Sequence, residues 1–340
     1  MPLSVRDILS AGGPVATRLG PDYEPRPEQI DMGEAVAATM ARGSHLLVEA
    51  GTGVGKSFAY LLPAMIRCLE HNETVVVATN TISLQEQLVN KDIPLLRSLL
   101  EPEWEQSEDP LAGRIRPVLV KGRGNYVSIR RLKLASQRQD RQLDAAQRRS
   151  LHVIEDWAYS TTDGTLSSLP SLERHGVWDK VQSDSGNCMG RRCPTYEQCF
   201  YQRARREMER ANLLVCNHAL FFSDMALRAQ DAGFLPEYKH IILDEAHGVE
   251  DTASEHFGTT LTEGRIAHLL TSLYNPRSGR GYLPGLELLS GDAAEIDRAI
   301  RLVQNAEADS RAFFDEVGGL VTGPGDSAAF GASRKGGTRR

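Results

Sequence analysis

EAGTGVGKS, residues 49–57, decides the fold. Glycines at 51, 53 and 55 let the backbone turn tightly, so that successive N–H groups point inward at phosphates in front of a helix N-terminus. Lys56 is the residue that reaches β- and γ-phosphates, and Ser57 supplies the hydroxyl for Mg²⁺. Ala50 stands where the template has its first glycine, a small change. Ala50, Gly51, Thr52, Gly53, Val54, Gly55, Lys56 and Ser57 are therefore the candidate nucleotide-binding set. The alternative is a plain glycine-rich turn, and context separates the two: the motif belongs between a buried strand and a helix. HLLVEA, 45–50, predicts the strand, and KSFAYLLPAMI predicts the helix.

Working outward, four more apolar runs share that character: TVVVAT (74–79), PVLVKG (117–122), NLLVCN (212–217) and HIILDEA (240–246). They are β-branched or Leu-rich, unbroken rather than alternating, and bounded by Gly, Asn or Asp. Such runs suit strands buried on both faces of a parallel sheet, with helices between them. HIILDEAH ends in two carboxylates at a strand's carboxyl end, where ligands of open α/β sheets sit. In a nucleotide hydrolase Asp244 holds Mg²⁺ through water and Glu245 orients and deprotonates the attacking water. His247 closes the box, and Lys56, Asp244, Glu245 and His247 are the candidate catalytic residues.

The 340-residue chain has room for about two domains, with 41 % hydrophobic and 25 % charged residues. Its N-terminus lacks an apolar signal-type core, and no stretch approaches the roughly 20 apolar residues of a membrane span. A cytoplasmic protein with reduced thiols is expected. A net charge of -6 argues against general adhesion to nucleic acid, so such binding requires a local basic patch. Arg191, Arg192, Arg203, Arg205, Arg206 and Arg210, set against three glutamates, form one. A solvated Arg/Glu helix face is the plainer reading of it. Residues 1–43 read as a lead-in whose helix ends on Gly43, and 126–210 as an insertion. Residues 251–318 read as helical, with Ile296, Ile300 and Val303 on one face and Ser290 as cap; a disordered Gly/Ser/Arg tail follows over 319–340.

The motifs, in order from about Tyr23 to Asp251, resemble the DinG/XPD branch of superfamily 2 helicases. YEPRPEQ (23–29) is similar to the adenine-reading motif, with Gln29 at the base. ATNTISLQEQL (78–88) is similar to the segment touching the DNA backbone, with Thr79, Thr81 and Gln85 at the contact positions. KGRGNY (121–126) precedes the insertion and CNHALFF (216–222) resumes the core. The resemblance implies an α/β, RecA-like P-loop NTPase sheet flanked by helices (44–125 and 211–250), a cysteine-bearing insertion and an arch-like helical region. It also implies ATP and Mg²⁺, single-stranded or forked DNA as partner, a setting such as DNA repair, and ATP-driven 5′-to-3′ unwinding.

Cys188, Cys193 and Cys199 crowd into CMGRRCPTYEQCF (188–200). A disulfide framework wants an even set, whereas zinc and a cubane cluster each want four ligands. In the family an iron-sulphur cluster takes a fourth cysteine, two residues after the tyrosine of KGRGNY; here that position is Ser128. Three outcomes stay open: serine or water completes a four-iron cluster, a three-iron cluster forms, or the cysteines merely pack. Zinc with His175 is a further alternative. Cys68 and Cys216 read as core. No second motor series follows residue 250, so the expectation is the N-terminal motor half of a helicase; a non-translocating ATP- and DNA-binding module is the alternative, and an RNA helicase a weaker third.

Overall fold

The strands Val75–Thr79 (β1), Pro117–Leu119 (β2), Leu213–Asn217 (β3) and His240–Leu243 (β4) form one all-parallel sheet in the order β2-β3-β1-β4. The computed structural model describes residues 4–100, 114–257, 261–279, 281–290 and 293–321. With no alternation to waste a face, β1 and β3 send successive side chains into two separate cores. Val75, Val77, Leu213 and Val215 face one side; Val76, Ala78, Leu214 and Cys216 face the other. This is the mixed α/β, RecA-like arrangement expected, but "buried on both faces" holds only for the two inner strands. β2 and β4 are edges, and Ile241 on β4 is exposed.

One predicted strand is missing from the ladder. HLLVEA forms no regular secondary structure, and Leu46, Leu47 and Val48 are exposed, Leu47 at 91 %. An apolar run becomes a strand only when a neighbouring edge and a covering helix accept it, and neither does so here. The phosphate loop is thus entered from an exposed segment, not from a buried strand.

Helices cover the first core. Val5–Leu9 (α1), Pro14–Leu19 (α2) and Pro27–Arg42 (α3) make up the lead-in, followed by Lys56–His71 (α4). α3 starts on Pro27 and ends on Gly43 at φ +63°, the left-handed stop glycine provides. Where α3 crosses α4, a Cβ on Gly33 would stand 3.2 Å from the Ala59 carbonyl oxygen, so glycine permits the close approach. Ile82–Gln87 (α5) and Ile93–Leu100 (α6) form one rod interrupted by a π turn over Leu88–Asp92. Pro94, which has no N–H for the ordinary helical bond, stands two positions after the turn's last residue.

The insertion builds a core of its own. Ile129–Gln142 (α7), Ala145–Ser160 (α8), Trp178–Val181 (α9) and the start of Phe200–Arg210 (α10) enclose Val127, Leu151, Ile154, Trp157, Val177 and Trp178. His218–Arg228 (α11) and Val249–Phe257 (α12) complete the first of two units, which ends at Gly258. In the second, Glu263–Leu273 (α13) and Tyr282–Ser290 (α14) pack on Ala293–Val321 (α15), whose Ile296 and Val303 are buried with Ile300 partly so. Ser290 is the last residue of α14, and the residues between it and Ala293 at the start of α15 lie outside those described, as does the capping role expected of Ser290. α15 also carries helix through Gly318 and Gly319 to Val321; the rest of the expected disordered tail lies outside the described residues. Among those described, no helix is long and apolar enough to cross a membrane.

Candidate nucleotide site

The loop and the acid box, 188 positions apart in sequence counting from Lys56 to Asp244, meet at the carboxyl edge of the sheet. Gly53 at φ +86° and Gly55 at φ +83° make the loop's two left-handed turns, and α4 starts at Lys56. Neither Gly51 nor Gly53 has anything within 4 Å of where a Cβ would sit, which leaves their backbone open to a ligand. Gly55 is pressed from behind. Gln29 lies against it and donates its side-chain amide to the Gly55 carbonyl at 2.8 Å. The Arg26 guanidinium donates to the Gly53 carbonyl. The motif at 23–29 therefore abuts the loop, and Gln29 is itself buried.

Lys56 Nζ stands 3.5 Å from Glu245 Oε1, both side chains about one-third exposed (32 % and 33 %). His247 Nδ1 lies 3.4 Å from the other oxygen of Glu245 and is itself largely exposed. Asp244 is held from three directions. Its N–H donates to the Ala78 carbonyl at 2.9 Å, its Oδ1 accepts from the Glu245 N–H at 3.0 Å, and its Oδ2 accepts from the Tyr60 hydroxyl at 3.0 Å. Burial first, then the Asp244 charge, drives the Tyr60 phenol's pKa upward, so it remains a donor. Glu245 sits at φ +53°, a left-handed conformation uncommon for a side-chain-bearing residue and frequent at functional turns.

His218, buried at the end of β3, stands behind this turn. Its Nε2 is 3.1 Å from the Ala78 carbonyl, which fixes the proton on Nε2, and burial lowers its pKa. Its Nδ1 has no hydrogen-bond partner. Tyr60, Arg26 and His218 were not legible as site residues. Only Tyr60 carried a signal, lying three and four positions after Ser57 and Lys56 on one helix face.

The three predicted backbone-contact residues part company. Thr79 and Gln85 are buried (0 % and 3 % exposed) and offer a nucleic acid no surface, whereas Thr81 is exposed. Thr81 also caps α5, accepting from the Leu84 N–H at 3.3 Å. On α10, Arg203 pairs with Glu207 and Arg205 with Glu209 at helical spacing, while Arg206 lies over the Tyr196 ring. Arg191 and Arg192 are exposed on the preceding 3₁₀ turn.

Cys188, Cys193 and Cys199 line one pocket together with Ser128. Hydrogen bonding from the Gly190 backbone, and secondarily from Arg123, lowers the pKa of the exposed Cys188 thiol; Cys68 and Cys216 are buried, and burial pushes both up to about 12. Ser128 Oγ is already committed, accepting from the Arg131 N–H at 3.4 Å as the cap of α7. Among the described residues no three His, Cys, Asp or Glu side chains come close enough together to hold a metal ion. As arranged, this donor set does not fit an iron-sulphur cluster. Mg²⁺ is a different case. It needs only one or two protein oxygens beside phosphates and water, and Ser57 and Asp244 fit that demand.

A DEAD/DEAH box helicase family model matches residues 31–108, and a DEAD_2 model matches 186–266. The chain is 34 % identical over 271 residues to a protein named ATP-dependent DNA helicase YoaA from Escherichia coli, covering 77 % of this chain and 39 % of that one. It is 33 % identical over 267 residues to the YoaA helicase of Haemophilus influenzae (78 % and 39 %). To the ATP-dependent helicase DinG of Mycobacterium tuberculosis it is 34 % identical over 265 residues (73 % and 38 %). The match thus spans about two-fifths of the length of these relatives. Both family models fall on the segments that carry the loop and the acid box, and over most of its length the chain is homologous to the DinG-type DEAD/DEAH box helicases.

Proposed function

We propose that this chain binds ATP with Mg²⁺ and contributes the nucleotide-hydrolysing motor of an ATP-dependent DNA helicase, acting 5′-to-3′ on single-stranded or forked DNA in the reducing cytoplasm. The observation that carries the reading is the meeting of Lys56 with Glu245 beside an Asp244 held in place by neighbouring groups. The activity for which the relatives are named agrees with it. Polarity and substrate form follow the family resemblance.

The residues act as follows. The amides of Gly51, Gly53 and Gly55 take the phosphate oxygens, aided by the N-terminus of α4. Lys56 exchanges Glu245 for the β- and γ-phosphates, a stronger partner for its ammonium because the charge is greater and the contact drier. That exchange frees Glu245 to orient and deprotonate the attacking water, so the resting ion pair keeps the base idle until nucleotide arrives. Ser57 and Asp244 would hold Mg²⁺, which when bound neutralises charge on the phosphates. Gln29 takes the base edge and Thr81 the DNA phosphates, with Thr79 and Gln85 shaping the turn beneath it. Arg191 and Arg192 extend the phosphate-contacting surface. No task in this reading falls to an iron-sulphur centre at Cys188, Cys193 and Cys199.

The test is titration of the chain with a fluorescent ATP analogue in Mg²⁺. Saturable binding is expected, and Lys56→Ala is expected to weaken it by about tenfold or more, the worth of one charge-assisted contact to phosphate. No affinity for adenine nucleotide, or undiminished affinity in Lys56→Ala, overturns the reading.

A further inference from the structure

Among the polar groups that the mechanism above leaves without a task, Tyr60 is the one that touches a proposed metal ligand. Tyr60 is 3 % exposed, on the face of α4 that also carries Ser57 and Lys56. Its hydroxyl donates to Asp244 Oδ2 at 3.0 Å. Buried tyrosine hydroxyls find partners as a rule, and a backbone carbonyl would have satisfied this one. The partner here is instead the carboxylate on the far side of the metal site. Ser57 and the Asp92 carboxylate stand around the same hydroxyl. Asp92 arrives there on the π turn and is held by the Gln87 amide at 3.3 Å.

Two contacts orient the Asp244 carboxylate, Glu245 N–H on one oxygen and Tyr60 O–H on the other. The first comes from the next residue and moves with the turn. The second is the cross-link between the helix bearing Ser57 and the turn after β4 that bears Asp244. A carboxylate's terminal torsion is broad and nearly two-fold, so without such a strut Asp244 samples orientations that a metal's water shell must then restrict. Groups of this kind behind a metal ligand are worth about 10–100-fold in metal affinity.

We propose that Tyr60 is the positioning residue of the magnesium site, holding the Asp244 carboxylate at a set orientation and distance from Ser57 so that the metal arrives at a preformed site. This deepens the ATP reading and rests on it.

Two affinities of the 340-residue chain separate the possibilities: a fluorescent ATP analogue without divalent metal, and Mn²⁺ measured by electron paramagnetic resonance on the nucleotide-bound chain. In Tyr60→Phe the metal-free nucleotide affinity and the melting midpoint stay at wild-type values, while Mn²⁺ affinity falls about tenfold or more. Asp244→Asn shows a similar loss, and adding Tyr60→Phe to it costs nothing further, as expected of two groups acting as one. Wild-type Mn²⁺ affinity in Tyr60→Phe, or additive losses in the double variant, overturns the inference alone. So does a parallel loss of metal-free nucleotide binding and melting midpoint, which makes Tyr60 a packing residue. A wild-type chain that binds no adenine nucleotide at all overturns the underlying reading first, before any substitution is made.

Discussion

Glu73 carries the clearest consequence at the scale of a single residue. It sits at the amino edge of the sheet, opposite the nucleotide loop, where Lys239 approaches at 2.8 Å and His240 at 2.9 Å. Arg67 adds charge at 2.9 Å, although its Nε–H is not directed into a hydrogen bond. Burial alone pushes the carboxyl up, but the bonds from Lys239 and His240 and the Arg67 charge outweigh it, leaving the pKa at about 2 against an ordinary 4.5. A folded-state pKa below the unfolded one stabilises the fold fully above the unfolded value, and the contribution fades as pH falls toward the folded one. Urea midpoints are therefore expected to be insensitive to this group above pH ~5 and to fall between about pH 4.5 and 2, by on the order of 3 kcal/mol at most. Glu73→Gln should flatten that part of the profile and lower stability at neutral pH; an unchanged acid limb would show that the cluster is solvated in solution. None of this was legible beforehand, since Glu73 reads in sequence as an ordinary polar residue ahead of a strand.

At the scale of elements, the path into the acid box depends on a staple between the end of α11 and the segment that follows it. Asp224 is fully buried and accepts from the Phe234 N–H at 2.6 Å, the Leu235 N–H at 2.8 Å and Arg228 Nε at 2.5 Å. Arg228 then reaches the Leu235 and Pro236 carbonyls and lies over the Tyr238 ring. This turns the chain back toward β4 and so delivers Asp244 to the sheet edge. Asp224→Ala removes every acceptor at once and leaves two backbone N–H groups and a guanidinium without it. A loss of about 3 kcal/mol or more in urea stability is expected, with faster amide exchange over 229–243 before the rest of the chain. A change below about 1 kcal/mol would mean that water replaces the carboxylate freely. The DNA-contact segment teaches the converse. Thr81 is exposed where it caps a helix, a local property. The burial of Thr79 and Gln85 comes from the packing of the β1–α5 corner, which spacing along one segment does not report.

For the whole molecule, the separate core of the insertion divides stability from the nucleotide site. None of Tyr126, Leu151, Ile154, Trp157 or Trp178 belongs to either core that flanks the sheet. Leu151→Ala is expected to cost the insertion about 2–5 kcal/mol, seen as faster amide exchange across α7, α8 and α9. Exchange in α4 and β1, and ATP affinity, should stay at wild-type values; loss of protection in β1 would instead join the two cores into one cooperative unit. By itself the sequence determined the α/β class, the glycine loop ahead of α4, the acid pair at a strand end, the stop at Gly43 and the cysteine-bearing insertion. Each follows from backbone preference or side-chain chemistry over a few neighbouring residues. Only the tertiary structure decided that HLLVEA stays outside the ladder, that Lys56 rests on Glu245, that Tyr60 bridges to Asp244, and that three clustered thiols line a pocket without forming a ligand set. Those outcomes depend on which surfaces meet after the chain has crossed the sheet, and contacts between residues nearly two hundred positions apart are set by packing of the fold, not by any local pattern.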